Sequence, residues 1–185
     1  MKPITVITPT LSDRVEKLAE CKASVQDQTV EFADHIVQID HDREGPAATR
    51  NKLIEKVDTE WVLFLDDDDI LYPQYNEAVQ PYLDDFDFVY TWCERDFLGI
   101  PDTDFNPDML RIGNTIPVTA CVKVQMVRDV GGFPLEGVYE DWQLWLKLLD
   151  AGAKFMAVRK RLWEYRLSGE GKNAEDLAKI SEERA

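Results

Sequence analysis

The stretch WVLFLDDDDIL, Trp61–Leu71, decides how this chain is read. Five apolar residues run straight into four consecutive aspartates, and then the chain turns apolar again. A continuous apolar run of this kind is the pattern of a central strand covered on both faces. The aspartates that end it are costly. At about 4 Å in water, neighbouring carboxylates repel by roughly 1 kcal/mol per pair, and by more where water is scarce.

Toward the N-terminus, ITVITPT reads as a first strand, Ile4 to Thr8, stopped at Pro9. Leu11, Val15, Leu18, Ala19 and Val25 then recur at helical spacing, with Thr10 and Asp13 placed as a capping pair. HIVQID is a second strand ending at Asp40, and EGPAATRNKLIEKV supplies a Gly-Pro helix start with Pro46 at the first helical position. Strand, helix, strand, helix, strand over about 65 residues predicts right-handed crossovers and an α/β single domain, a mainly parallel central sheet flanked by helices. In such sheets ligands sit beyond the carboxyl ends of the strands. Three segments fall there together: Thr8-Pro9-Thr10, Asp40-His41-Asp42 and Asp66 to Asp69.

Beyond Leu71 the pattern is less regular. DFDFVYTW suggests a fourth strand at Phe88 to Thr91. Cys93 to Asn114, with Gly99, Pro101, Pro107 and Gly113, reads as a long loop of the kind that serves as a lid or binding loop. TIPVTACV reads as another strand, followed by a short helix and a break at Gly131-Gly132. YEDWQLWLKLLDAGA is the clearest helix of this half: Trp142, Trp145, Leu146 and Leu149 share a face and Gly152 closes it. KFMAV and RLWEYRL are expected as short edge strands. Residues 1–168 are expected to form the domain and 169–185 a charged tail.

The chain has 185 residues, 44% hydrophobic and 31% charged, a globular composition. Its net charge of -15 repels nucleic acids and anionic membrane surfaces, and suits a protein that recruits divalent cations. Cys21, Cys93 and Cys121 lack metal-type pairing and read as reduced, buried thiols. No apolar run approaches the roughly 20 residues of a membrane span. The expectation is a soluble, cytoplasmic protein without direct nucleic-acid binding or a transmembrane anchor.

The aspartate run admits two readings, a solvated acidic turn or a cation site, and its place at the end of a central strand favours the second. Mg²⁺ or Mn²⁺ prefers carboxylate oxygens and commonly keeps substrate phosphate oxygens in its shell. Arg50 lies early in its helix, where the dipole disfavours a cation unless a bound phosphate reverses the sign; the alternative is a surface arginine paired with Glu44 or Asp42. Glu140 and Asp141 open the second-half helix, either complementing its dipole or supplying a general base. Trp142 and Trp145 read as core before ligand platform. His35 reads as a strand residue, whereas His41 is placed to touch a ligand.

Together, ITVITPT, QIDHDREGPAATRN, WVLFLDDDD, GGF and YEDWQLWLKL resemble the family 2 glycosyltransferases of the GT-A (Rossmann-like) fold, over about Ile4 to Ser168. The resemblance implies a nucleotide-sugar donor, UDP- or dTDP-linked with UDP favoured, a Mn²⁺ or Mg²⁺ cofactor, and inversion at the anomeric carbon. It implies that Thr8 and Pro9, with Thr10, line the nucleoside pocket and that Asp40 holds the base. Arg50 would lie near the uracil or diphosphate, Asp66 at the ribose with Asp67 beside it, and Asp68 on the metal. Asp69, Glu140 and Trp142 would support the site or the acceptor, and Asp141 would deprotonate the acceptor hydroxyl, on a glycan, a lipid-linked sugar or a protein. Three departures stand out. Asp40-His41-Asp42-Arg43 replaces the more usual Asp-Asp-Gly-Ser, and Ser168 stands where relatives often carry a histidine. The chain also carries little beyond a catalytic core, which leaves acceptor choice to the Cys93–Asn114 loop, the tail or a partner. Two competing readings are a phosphohydrolase of the haloacid dehalogenase type, with Asp66 as nucleophile, and a GT-A-shaped binding or scaffold protein without turnover.

Overall fold

The computed structural model describes residues 1–94 and 103–166. Its elements, in chain order, are β1 (Ile4–Thr10), α1 (Val15–Gln26), β2 (Asp34–Ile39), α2 (Pro46–Ile54), β3 (Trp61–Phe64), β4 (Ile70–Leu71), α3 (Tyr75–Val79), β5 (Phe88–Glu94), α4 (Pro107–Ile112), β6 (Ala120–Lys123), α5 (Val124–Asp129), α6 (Glu140–Asp150) and β7 (Phe155–Glu164). The expected β1-α1-β2-α2-β3 order is present, and Pro46 opens α2.

Among the described residues, seven strands form one sheet in the order β2-β1-β3-β6-β5-β7-β4. The first half is parallel as expected, β1 lying between β2 and β3. The second half departs from a mainly parallel sheet. β6 runs antiparallel to both β3 and β5, β7 is parallel to β5, and β4 is antiparallel to β7. The sheet is therefore mixed. KFMAV and RLWEYRL do not make two edge strands. Phe155–Glu164 of these segments is one strand, β7, held between β5 and β4. Its exposed middle, Arg159-Lys160-Arg161, coincides with a register shift against Thr91 and Trp92, so an irregularity in pairing looked like a break in the sequence.

Period-2 geometry splits WVLFL between two cores. Val62 and Phe64 pack with Leu53, Val127, Leu144, Trp145 and Leu148 from α2, α5 and α6. Trp61, Leu63 and Leu65 pack on the opposite face with Cys21, Val25, Tyr75 and Val79 from α1 and α3. Each fully buried large side chain contributes about 1.5–3 kcal/mol by leaving water, which makes β3 the spine of the domain. Cys21, Cys93 and Cys121 are all buried.

Other local readings need adjustment. Thr10 and Asp13 do not cap α1. The residue before the helix is Arg14, without a side-chain cap, and Thr10 belongs to β1. Val15, expected on the apolar face, is exposed. The Cys93–Asn114 segment contains α4, capped by Asn106, whose side chain accepts from Asp108 N and Met109 N. Its residues 95–102, and the tail from 167 that includes Ser168, lie outside the described residues. Among the described residues no helix is long and apolar enough to cross a membrane.

Candidate active site

Just past the end of β3 the chain turns, the N–H of Asp69 bonding Asp66 O at 3.2 Å, and the four aspartates alternate in burial. Asp66 and Asp68 are half-buried, whereas Asp67 and Asp69 are buried. The run is thus two pairs with different work.

The inner pair is satisfied within the fold. Thr10 Oγ1 donates to Asp67 Oδ2 at 2.6 Å, and Arg14 Nη2 lies 2.9 Å from Asp67 Oδ1. Asp69 Oδ1 accepts the backbone N–H of Arg166 at 3.1 Å, and Thr119 Oγ1 lies 3.5 Å from Asp69 Oδ2. Burial pushes the Asp67 carboxyl up to about 6 against the opposing pull of Thr10 and Arg14. Burial, reinforced by the charge of Asp66, holds Asp69 well above the usual carboxylate range.

The outer pair faces cations supplied by the chain. Arg14 Nη2 bonds Asp68 while it pairs with Asp67. Arg50 is not the surface arginine that would pair with Glu44 or Asp42. It is 4% exposed, and its two amino groups reach Asp66 Oδ1 at 2.5 Å and Glu140 Oε1 at 3.2 Å. Its guanidinium also lies 5.3 Å from the ring centre of Phe133. Next along α2, Asn51 clamps the backbone of Phe133: Nδ2 donates to Phe133 O and Oδ1 accepts from Phe133 N, each at 2.8 Å. Gly132 makes this approach possible, because a Cβ there would sit 2.5 Å from Asn51 Oδ1. The Arg50-Asn51 pair and the GGF segment are therefore two halves of one joint, which brings the start of α6 to the aspartates.

At that start Tyr139 takes a left-handed conformation, φ 59°, a strained geometry of the kind found at functional sites. Asp141 follows. Its Oδ2 accepts from Asn114 Nδ2 at 2.9 Å and its Oδ1 from the N–H of Trp142 at 2.8 Å. Burial raises its carboxyl above the ordinary range although both donors and Arg50 oppose this. A carboxylate raised in this way is a better proton acceptor near neutral pH. Trp142 packs against the core and donates its indole N–H to Leu110 O at 2.6 Å, so its edge is committed to α4.

Asp40 meets β1 through its backbone N–H, 2.8 Å from Thr10 O. Its carboxylate accepts from Glu44 N at 3.0 Å and Gly45 N at 2.8 Å, shaping the turn into α2. Burial pushes this carboxyl up, but the N–H donors of Gly45, Glu44 and Arg43 and the charge of Lys52 together outweigh it and hold the group below its usual range. Thr8 is 0% exposed, and its hydroxyl lies 2.9 Å from His35 Nε2, so it stands behind the surface at the end of β1. Pro9 is buried beside it. His41 is exposed on the turn.

The structure thus joins Thr10, Asp40, Arg50, Asp66, Asp67, Asp68 and Glu140 through direct bonds, with Asp141 adjacent to Glu140. Sequence reasoning missed Arg14, Asn114 and the contact of His35 with Thr8. Arg14 gave no local signal, since its partners lie more than fifty residues away. Asp66 and Asp68 keep 31% and 15% of their side chains exposed and offer carboxylate oxygens, the hard donors that Mg²⁺ or Mn²⁺ takes. Among the described residues no group of three or more His, Cys, Asp or Glu side chains is arranged to hold a metal ion. A cation at Asp68 would therefore take its remaining ligands from a diphosphate or water, which suits Mg²⁺ or Mn²⁺.

Residues 12–126 match the family described as Glycosyl transferase family 2. That span includes the aspartates, Arg14 and Arg50 and stops before Asp141. No curated protein matches the chain. The fold resembles S. aureus TarS 1-349 (TM-score 0.73, 17% identity, 88% of this chain and 60% of that one). It also resembles the complex of TarS 1-349 with UDP-GlcNAc (TM-score 0.74, 18% identity, 91% of this chain and 60% of that one). A third similar structure is the mannosyltransferase PcManGT from Pyrobaculum calidifontis in complex with GDP-Man and Mn²⁺ (TM-score 0.69, 16% identity, 96% of this chain and 61% of that one). The fold is GT-A. The chain spans about 60% of the length of these chains.

Proposed function

Because this chain belongs to glycosyl transferase family 2, we propose that it transfers a sugar from a nucleotide-sugar donor to an acceptor hydroxyl, with inversion at the anomeric carbon and dependence on Mn²⁺ or Mg²⁺. The observation that carries this reading is the Arg50 joint, which ties Asp66 of the aspartate run to Glu140, the neighbour of Asp141. The haloacid dehalogenase alternative needs a different fold around its aspartates and is set aside.

In this reading the nucleoside lies along the edge formed by Thr8, Pro9, Thr10 and Asp40, the first two shaping the wall from behind. Asp66 meets the ribose, Asp67 holds the run in place, and Asp68 holds the cation. When bound, that cation supplies positive charge to the departing diphosphate. Binding has a local cost, because Arg14 must give up its bond to Asp68 or share it. Arg50 acts through Asp66 and Glu140, keeping both sides of the cleft at a fixed separation. Asp69 anchors the run from inside, and Trp142 supports α6 through Leu110.

Chemistry follows from Asp141. Its carboxylate accepts the proton of the acceptor hydroxyl as the new bond to the anomeric carbon forms. The bond from that carbon to the diphosphate oxygen breaks on the opposite face, so configuration inverts. The donor is UDP- or dTDP-linked in this proposal. Complexes with UDP-GlcNAc and with GDP-Man among similar folds support a nucleotide sugar as the donor class. The acceptor is a hydroxyl of a glycan, a lipid-linked sugar or a protein. Its wide-spaced, buried cysteines suit a reducing compartment, and we place the chain in the cytoplasm.

A panel of UDP-, dTDP- and GDP-sugars, with and without Mn²⁺, tests this. Nucleotide release is expected to need the cation, to vanish in Asp68→Asn and to fall steeply in Asp141→Asn while donor binding persists. Metal-dependent nucleotide binding with no turnover on any acceptor would favour a binding protein instead.

A further inference from the structure

The loop between α4 and β6 brings Asn114 against the carboxylate proposed as the base. We infer that Asn114 is a positioning residue for Asp141, aiming one carboxylate oxygen at the acceptor hydroxyl; this rests on the reading of Asp141 as the base. Three contacts support it. Asn114 Nδ2 donates to Asp141 Oδ2 at 2.9 Å. The same carboxamide turns its oxygen to the N–H of Ile116 at 3.3 Å, which fixes which end faces Asp141. Ile116 is itself fully buried, and its carbonyl accepts the indole N–H of Trp145 at 3.1 Å. Asn114 is thus fastened to the core through Ile116 and Trp145, on the same helix that carries Asp141.

This geometry does more than staple two elements. Asp141 Oδ1 is already taken by the N–H of Trp142, so rotation of the carboxylate is settled by where Asn114 holds Oδ2. A single donor on Oδ2 leaves that oxygen a second lone-pair site with which to accept a proton. The other charged groups facing Asp141 are Glu140, whose charge opposes ionisation, and Arg50, which favours it. Asn114 adds a neutral donor that favours the carboxylate without competing for the proton. A hydrogen bond to a charged group is worth about 1.5–3 kcal/mol, so its loss from the reacting arrangement slows turnover about tenfold to a hundredfold.

The test uses the full chain, a donor on which the wild type releases nucleotide, and three variants: Asn114→Ala, Asn114→Ser and Asp141→Asn. Asn114→Ala is expected to lower kcat about tenfold to a hundredfold with the donor KM unchanged. The acidic limb of its pH-rate profile should move to higher pH, and a ¹³C NMR titration of the Asp141 carboxyl should move the same way. Asn114→Ser, which keeps a donor, should recover part of the rate. A purely structural staple predicts a lower melting temperature with an unmoved pH profile and carboxyl titration, which overturns the proposal. If Asp141→Asn is inactive while Asn114→Ala matches the wild type in rate and pH profile, the positioning role fails and the base survives. If Asp141→Asn turns over normally, the base reading fails first.

Discussion

Replacing Arg50 with methionine removes a buried cation from between two carboxylates and should open the joint on which the site depends. The guanidinium is 4% exposed and bonds both Asp66 and Glu140, whose side chains keep 31% and 29% exposure. Deleting one partner of a fully buried ion pair costs about 3–5 kcal/mol, because the other charge is left uncompensated. Partial hydration of the two acids softens this, which puts the expected loss at about 3 kcal/mol. For a domain of this size, that lowers the melting temperature by about 6–12 °C. Urea unfolding followed by tryptophan fluorescence reads it directly, since Trp61, Trp145 and Trp163 are fully buried and report on core opening. Adding Glu140→Gln to Arg50→Met removes one of the two stranded charges and should return about 1 kcal/mol. An unchanged urea midpoint in Arg50→Met, or a double variant in which the two losses simply add, would refute the electrostatic account of the joint.

Two further predictions concern residues behind the site. Burial pushes the His35 imidazole down from its ordinary 6.5 to about 4, so the unfolded chain binds this proton more readily than the folded one. Its contribution to stability is therefore present above about pH 7 and lost as the pH falls through 6.5 toward 4. Between pH 7 and 5 the loss is on the order of 2 kcal/mol, and His35→Gln should remove that part of the acid sensitivity. Parallel stability-pH curves for the two proteins would reject the assignment. Gly132→Ala places a Cβ 2.5 Å from Asn51 Oδ1 at a backbone φ of +70°, and should destabilise the chain by about 2 kcal/mol in urea titration. A loss below about 0.5 kcal/mol would mean the Asn51–Phe133 clamp is loose.

The first half of the fold was legible because each signal in it is local. Apolar runs mark β1, β2 and β3, and Pro46 after Gly45 marks the start of α2. Period-2 alternation divides WVLFL between two cores, but the split into Asp66 and Asp68 against Asp67 and Asp69 comes from a turn closed by Asp69 N–H on Asp66 O, which strand geometry does not announce. The second half was less legible because strand direction is set by pairing partners far away in sequence. Nothing in ACVK announces that β6 will run antiparallel between β3 and β5. Arg159-Lys160-Arg161 disguised one strand as two, since a strand that shifts register exposes polar residues where alternation would bury them. The acidic residues of the site stood out by composition and position. Their counterparts did not: Arg14 and Asn114 are ordinary residues in unremarkable segments, and only the fold brings them to Asp68 and Asp141. Arg50 was noticed for the wrong-signed helix dipole, but one of its partners, Glu140, lies ninety residues later.

The most direct measurement is calorimetric titration of the full chain with UDP, with and without Mn²⁺, for the wild type and Asp68→Asn. If the aspartates after β3 hold a cation against a sugar nucleotide's diphosphate, UDP binds with Mn²⁺ present and at least about tenfold more weakly without it, and Asp68→Asn abolishes that difference. Equal binding of UDP with and without the cation, unaltered by Asp68→Asn, would contradict the account.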